Sequence, residues 1–259
     1  MGRSVIGAQL YTLRQGLKTP AEIARTLKEV KAVGYDNVQV SGLGPIEPEE
    51  LKRILDGEGL YCCATHTGLD RLESQFEQVV DEHHLWGCKH IAVPSLPGQF
   101  RGSEEGFVKG ARAMSEVGLK LADQGITLSY HNHSFEFVRY GRRTGLDIIY
   151  QESNPRGLKA ELDTYWVQHG GGSPSAWCRK LAGRMPLVHL KDMAIVPIDG
   201  RPEQAFAEVG EGNLDWPVLL ESCDAAGVQW YIVEQDLCRR PPIESLRISL
   251  NNLRAMGVK

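Results

Sequence analysis

The chain has 259 residues, 42% hydrophobic and 24% charged, with a formal net charge of -4. This is the composition of a soluble globular protein long enough to bury a substantial core, and the mildly acidic balance gives no global reason to bind nucleic acid or an anionic membrane. No apolar run of roughly 18 residues exists to span a bilayer, and MGRSVIGAQLYTLRQ lacks the apolar segment of a secretory signal. The expectation is a cytoplasmic protein acting on a small molecule, with neither nucleic acid nor membrane as partner; homo-oligomerisation is left open.

The first β-rich run, SVIGAQL, is followed by Thr19-Pro20 ahead of AEIARTLKEVKAVG, a helix with a start signal and with Gly34 where a C-cap belongs. NVQV, YCCATH and HIAVP continue the β series, and Ser103 then precedes the helical pattern EEGFVKGARAMSEVGLKLADQG, which stops at Gly125. ITLSYH, LKAELD and LVHLK come next. The Gly-rich HGGGSPS, His169 to Ser175, reads as an active-site-side loop after the sixth run. Asp215-Trp216-Pro217 opens VLLESCDAAG, which Gly227 closes; WYIVEQD is the eighth β run, and Pro241-Pro242 opens IESLRISLNNLRAMG.

Strands separated by helices imply right-handed parallel βαβ units, and eight of them in about 250 residues match a closed (β/α)8 barrel. An open doubly wound sheet is the alternative, but no GxGxxG follows the first strand. No linker or composition shift divides the chain, so residues 1–259 are read as one α/β domain. The six cysteines lack CxxC spacing and are read as small core residues.

In such a barrel, functional side chains project from the carboxyl ends of the strands. Those ends carry Gln9, Gln39, His66, His131 with His133, Asp163, His189 and Glu234. Each has an ordinary reading: His189 a hydrogen-bonded core histidine, Asp163 a turn or N-cap residue, Glu234 half of an ion pair. Together they are harder to dismiss, because several ionisable groups in a narrow mouth cost several kcal/mol each to desolvate unless something opposes their charge. One divalent cation does so, and mixed oxygen and imidazole donors suit Mn2+, Zn2+, Co2+ or Mg2+ better than a thiolate-loving ion.

The motifs GAQLYTLR, HTGLD, YHNHSFEF, LDTYW, LVHLKD, VGEGNLDW and YIVEQD occur in that order over almost the whole chain. In this the sequence resembles the sugar phosphate isomerase/epimerase group of xylose isomerase-like TIM barrels, which embraces inosose dehydratases and AP-endonuclease-type barrels. The resemblance implies a single divalent metal, Mn2+ by preference, held by a Glu, Asp, His, Glu set from strands five to eight. Asp163, His189 and Glu234 match the last three. The first departs: relatives have a glutamate before Asn-His, whereas here His131 precedes Asn132 and His133. His131 is thus the expected fourth ligand, with Glu136 as its rival; for Glu136 the plainer reading is a carboxylate at the rim facing solvent.

The implied activity is isomerisation or epimerisation of a keto-sugar or sugar phosphate through an enediolate, with Glu234 and an opposing group, His131 or Glu136, moving the proton. Dehydration of an inosose or lysis of a 3-keto-glycoside is the alternative, since imidazole at position 131 can take an α proton and return it to a leaving oxygen. Lys191 and His66 are expected to help, Lys191 having as its plainer reading an ion pair with Asp192 or Glu161. His133, Gln9 and Trp166 are candidates for substrate binding. In EVGEGNLDW, Gly210 and Gly212 supply turn geometry and Asp215 reads as an N-cap. Two further classes stand behind these: a catalytically silent sugar-binding barrel, and an AP-endonuclease-type hydrolase, which needs a basic track that this composition lacks.

Overall fold

The computed structural model describes residues 5–259. All eight apolar runs fold as strands: β1 (Ile6–Gln9), β2 (Asn37–Val40), β3 (Tyr61–His66), β4 (His90–Val93), β5 (Thr127–His131), β6 (Lys159–Asp163), β7 (Leu187–Leu190) and β8 (Trp230–Val233). They pair in parallel in chain order, and β8 closes on β1 with Ile6 beside Tyr231. The strands are short and their middles are buried on both faces, which is why they read as continuous apolar runs rather than alternations.

Helices pack around the barrel: α1 (Pro20–Val33), α2 (Pro48–Glu58), α3 (Leu69–Ser74), α4 (Phe76–Trp86), α5 (Glu104–Asp123), α6 (Gly145–Glu152), α7 (Thr164–His169), α8 (Pro174–Lys180), α9 (Trp216–Ala226) and α10 (Pro242–Ala255). The start signals work as the sequence suggests. Thr19 forms a capping box with Glu22 at α1, Ser103 caps α5, and Asp215 caps α9. Gly34 and Gly227 end α1 and α9 in the left-handed conformation.

The main core lies between the strands and this helical ring. A smaller apolar cluster of Cys63, Ala64, Leu187 and Ile232 is separate from it. Leu187 and Ile232 sit two residues before His189 and Glu234, on the same strand face and one layer lower, so they floor the polar mouth. Cys62, Cys88, Cys178 and Cys223 lie in the main core, the last two 3.7 Å apart as free thiols, whereas Cys238 is only half-buried and outside it.

Two antiparallel hairpins stand outside the barrel, the shorter pairing Arg139–Tyr140 with Arg143–Thr144 ahead of α6. After β7 the chain forms the longer one, Asp192–Ile198 paired antiparallel with Arg201–Ala207, standing on the carboxyl-end side. No helix among the described residues is long and apolar enough to cross a membrane.

Candidate metal centre and active site

Strand register decides which side chains meet. Across β5 and β6 His131 stands beside Glu161, across β6 and β7 Asp163 beside His189, and across β7 and β8 His189 beside Ile232. Asp163 and Glu234 each lie two residues beyond such a partner, so their side chains reach inward one layer higher. The result is convergence: His131, Asp163, His189 and Glu234 are all buried, and each offers a ligand atom within 4.8 Å of those of the other three.

Asp163 serves two structures with its two oxygens. Its Oδ1 accepts from the Trp166 backbone N–H at 2.8 Å, capping α7. Its Oδ2 faces His131 Nε2 at 3.1 Å and Lys191 Nζ at 3.0 Å. The N-cap reading and the ligand reading of Asp163 are therefore compatible, one for each oxygen.

The ring orientations of the two histidines are fixed from behind. His131 Nδ1 lies 3.0 Å from the Pro94 carbonyl, an acceptor, so that nitrogen carries hydrogen and Nε2 presents its lone pair to the cluster. His189 Nε2 lies 2.6 Å from Gln39 Oε1 and 3.3 Å from Glu161 Oε2, again acceptors, which turns Nδ1 toward Glu234 Oε2 at 2.8 Å. Metal-binding histidines usually donate their second ring N–H to a carbonyl or carboxylate. Two imidazole nitrogens backed in this way, with two carboxylate oxygens, are a donor set that fits a divalent ion of borderline or hard character. His131 thus meets Asp163 through Nε2 and the Pro94 carbonyl through Nδ1, and its ring also lines the cavity over the cluster.

Lys191 is the cation among these groups. Its ammonium contacts Asp163 Oδ2 at 3.0 Å, Glu234 Oε2 at 2.7 Å and Asp236 Oδ2 at 2.7 Å. Its ion partners are thus three carboxylates of the mouth, in place of the expected Asp192 or Glu161. Burial opposes the charge of Lys191, but Asp163, Glu234 and Asp236 outweigh it and push the ammonium pKa up. Burial likewise opposes ionisation of Glu234 and Asp163, yet Lys191 first, and the histidines after it, hold both carboxyls below their usual range. For His189 burial is outweighed by Glu161 and Glu234, and the imidazole pKa rises to about 10.

Behind the cluster runs a second polar layer. Gln9 Nε2 donates to Gln39 Oε1, Gln39 Nε2 donates to Glu161 Oε1, and His66 Nε2 meets Glu161 Oε2, each at 2.6 Å. Gln9 is fully buried there and supports Gln39 rather than facing the cleft. Glu161 is the largest omission of the sequence reading as a site residue. It lies two residues before Asp163, so strand alternation alone places both inward; the same rule relates Lys191 to His189 and Asp236 to Glu234.

A cavity of about 280 Å³ opens over the cluster, walled by His66, His131, His133, Lys191, Glu234 and Asp236 among others. His133 Nδ1 and Trp166 Nε1 are buried without a hydrogen-bond partner, and their rings lie 5.3 Å apart. Burial, then His131 and Lys191, lowers the His133 pKa to about 3, so its ring is neutral. Glu136 is elsewhere. It is fully buried rather than facing solvent, it accepts from Tyr130 Oη at 2.5 Å and from the His133 backbone N–H at 3.0 Å, and it does not line the cavity. Burial raises its pKa to about 7 against those two hydrogen bonds.

Asp192 and the VGEGNLDW segment form the brace beside the site. The Asp192 carboxylate accepts from the backbone N–H of Met193, Gly210, Gly212 and Leu214 at 2.8–3.2 Å and from Trp216 Nε1 at 2.5 Å. A Cβ on Gly212 would come within 2.3 Å of Asp192 Oδ1, so this glycine is there for close approach. Glu211 pairs with Arg240 at 2.6 Å.

An eight-stranded parallel barrel with a His, Asp, His, Glu cluster at its carboxyl end defines the class, and sequence comparison agrees: the chain belongs to the xylose isomerase-like TIM barrel family, which matches residues 27–256. It is similar to the rhizopine catabolism protein MocC of Rhizobium meliloti, at 25% identity over 93% of this chain and 83% of that one. It is also similar to an inosose dehydratase of Klebsiella pneumoniae, at 24% identity over 84% of each. A sugar phosphate isomerase/epimerase from Parabacteroides distasonis shares the fold, with a TM-score of 0.83 at 22% identity over 100% of this chain and 96% of that one.

Proposed function

We propose that this protein is an enzyme that binds one divalent cation, Mn2+ by preference, through His131, Asp163, His189 and Glu234, and removes the proton next to the carbonyl of a keto-sugar or polyol-derived ketone. The observation that carries this reading is the meeting of those four ligand atoms within 4.8 Å under an open cavity. A bound divalent ion would polarise a carbonyl oxygen and acidify the neighbouring C–H.

The rest is the work of the chain's own groups. Glu234 makes its contacts with His189 and Lys191 through Oε2, which leaves Oε1 to take the proton. Lys191, its three N–H donors taken by Asp163, Glu234 and Asp236, opposes by its charge the negative charge that develops on the substrate oxygen. His133 Nδ1, unpaired within the protein and on a residue that lines the cavity, holds a substrate hydroxyl, with the Trp166 ring behind it. His66 lies on the cavity wall, held by Glu161, and in an elimination the proton that Glu234 removes is the one passed to the leaving oxygen.

One observation bears on the fate of the enediolate. Two-base epimerisation needs a carboxylate opposite Glu234, and Glu136, the candidate for it, faces Tyr130 and His133 away from the cavity. Without Glu136 as the second base, two-base epimerisation is disfavoured, and elimination of water or of a glycosyl oxygen stands beside one-base isomerisation as the outcome to test. Incubation of the metal-loaded protein with ketoses, inososes and 3-keto-glycosides in D2O separates the outcomes. Loss of water or aglycone supports the lyase reading, and deuterium uptake with an intact carbon skeleton returns the protein to the isomerases. Glu234→Gln is expected to lower either rate at least ~10³-fold, as removal of a proton-transfer group does; full activity in that variant contradicts the assignment.

A further inference from the structure

A second cavity, of about 410 Å³, adjoins the first, and Ser41, Gly42 and His66 line both. The first alone, at about 280 Å³, falls just below the ~300–1,000 Å³ range of small-molecule sites, so the neighbouring space matters to what the molecule can accept. Arg71, Glu82 and Trp86 line the second cavity beyond His66.

Glu82 is 6% exposed. Its Oε1 accepts from Arg71 at 2.6 Å and Gln78 at 3.1 Å. Its Oε2 is buried and has no hydrogen-bond partner. An unpaired buried acceptor costs about 1–3 kcal/mol, more when charged, so this oxygen calls for a donor from the cavity. Trp86 already donates its indole N–H to the Pro48 carbonyl at 3.0 Å; what it offers the cavity is its ring.

We propose that this second cavity is a carbohydrate-binding lobe, and that the substrate is a neutral glycoside or disaccharide spanning both cavities. The inference rests on the first cavity being the reacting site: one ring lies over the ligand cluster and the other lies across His66. There a hydroxyl donates to Glu82 Oε2, Arg71 donates to a sugar oxygen, and the C–H face of the ring packs on Trp86. A phosphate in the same place would set its own oxygens against the unpaired Glu82 Oε2, so the lobe selects against sugar phosphates. It also fits a substrate whose glycosyl oxygen, close to His66, is the leaving group.

The test is calorimetric binding of cellobiose, maltose, lactose and sucrose to the metal-loaded protein, against glucose, galactose and glucose 6-phosphate. At least one disaccharide is expected to bind 10-fold or more tightly than any monosaccharide. Glu82→Gln and Arg71→Met are each expected to remove that advantage while leaving glucose affinity and metal content unchanged. The Arg71 side chain is 38% exposed, so its variant tests the lobe even if the Glu82 variant misfolds. Equal affinity for mono- and disaccharides, tighter binding of glucose 6-phosphate, or equal weakening of mono- and disaccharide binding in the variants overturns the proposal. Disaccharide binding lost in the variants, with no C–H exchange in any sugar, would keep the lobe and refute the catalytic reading instead.

Discussion

Asp163 shows how little is spare at the residue scale: one oxygen caps a helix and the other faces His131 and Lys191. Lys191 is under the same constraint, since without it Asp163 and Glu234 would be buried carboxylates with no lysine to oppose them. Breaking a buried ion pair from one side costs about 3–5 kcal/mol, and for a chain of this size each kcal/mol is worth roughly 2–4 °C in melting temperature. Lys191→Met is therefore expected to melt on the order of 10 °C below the parent in EDTA and to recover most of that loss when Mn2+ is added. Thermal denaturation with and without the ion checks this; equal melting of variant and parent in EDTA would mean that Lys191 does not balance the cluster.

The candidate ligands were legible because each ends an apolar run and falls in a motif, His131 as the departure from the pattern of the family. Their supports were less so. Glu161 and Asp236 lie two residues from a ligand on the same strand or just past its end, and period-2 alternation would have pointed to them. The Pro94 carbonyl that orients His131 has no side-chain signature. The backbone alone decides it.

At the element scale, the hairpin beyond β7 went unread although its signal was present. Asp199-Gly200 is a two-residue turn with φ of 49° and 76°, the positive pair that an Asp-Gly type I′ turn requires. The alternation around it was obscured by Pro197 and Pro202. Asp192 ties this hairpin to the segment that follows, gathering four backbone donors and one indole on a single carboxylate. Removing a buried acceptor of several donors strands all of them, so Asp192→Ala is expected to cost roughly 3–5 kcal/mol in urea denaturation, and a loss under ~1 kcal/mol would show that water replaces the carboxylate.

Two histidines outside the site make a pH prediction at the same scale. His83 on α4 bonds to Thr65 Oγ1 at 2.8 Å and to the Val79 carbonyl at 2.6 Å. Burial holds its pKa down to about 4, and burial does the same for His90 at the start of β4. A histidine with a depressed folded pKa binds fewer protons folded than unfolded between that value and its ordinary 6.5. Its stabilising contribution is complete above pH 6.5 and is lost as the pH falls toward 4, at up to ~1.4 kcal/mol per pH unit for each residue. Urea midpoints measured across that window should decline on acidification, and His83→Gln should flatten the slope by about one proton; an unchanged slope would show that His83 titrates normally in the fold.

For the molecule as a whole, the barrel was readable because eight short β runs alternate with capped helices, and closure follows once β8 pairs with β1. Period-2 alternation names the inward residues of each strand, but not the register between strands that sets them side by side. Alternation sets apolar Leu187 and Ile232 below His189 and Glu234; register sets the Gln9, Gln39, Glu161 network behind them. The shape of the mouth is equally tertiary: two cavities meeting at His66 arise from loops that sequence marks only as turns.

The central claim is that four side chains from consecutive late strands hold one divalent ion. Titration of the EDTA-treated protein with Mn2+, followed by calorimetry and elemental analysis, tests it most directly. The account predicts saturation at one ion per chain, with affinity at least ~10-fold weaker after Gln39→Leu, which removes a support of His189, and lost after Asp163→Asn with His189→Ala. No saturable binding, or the same binding in the double variant as in the parent, would contradict it.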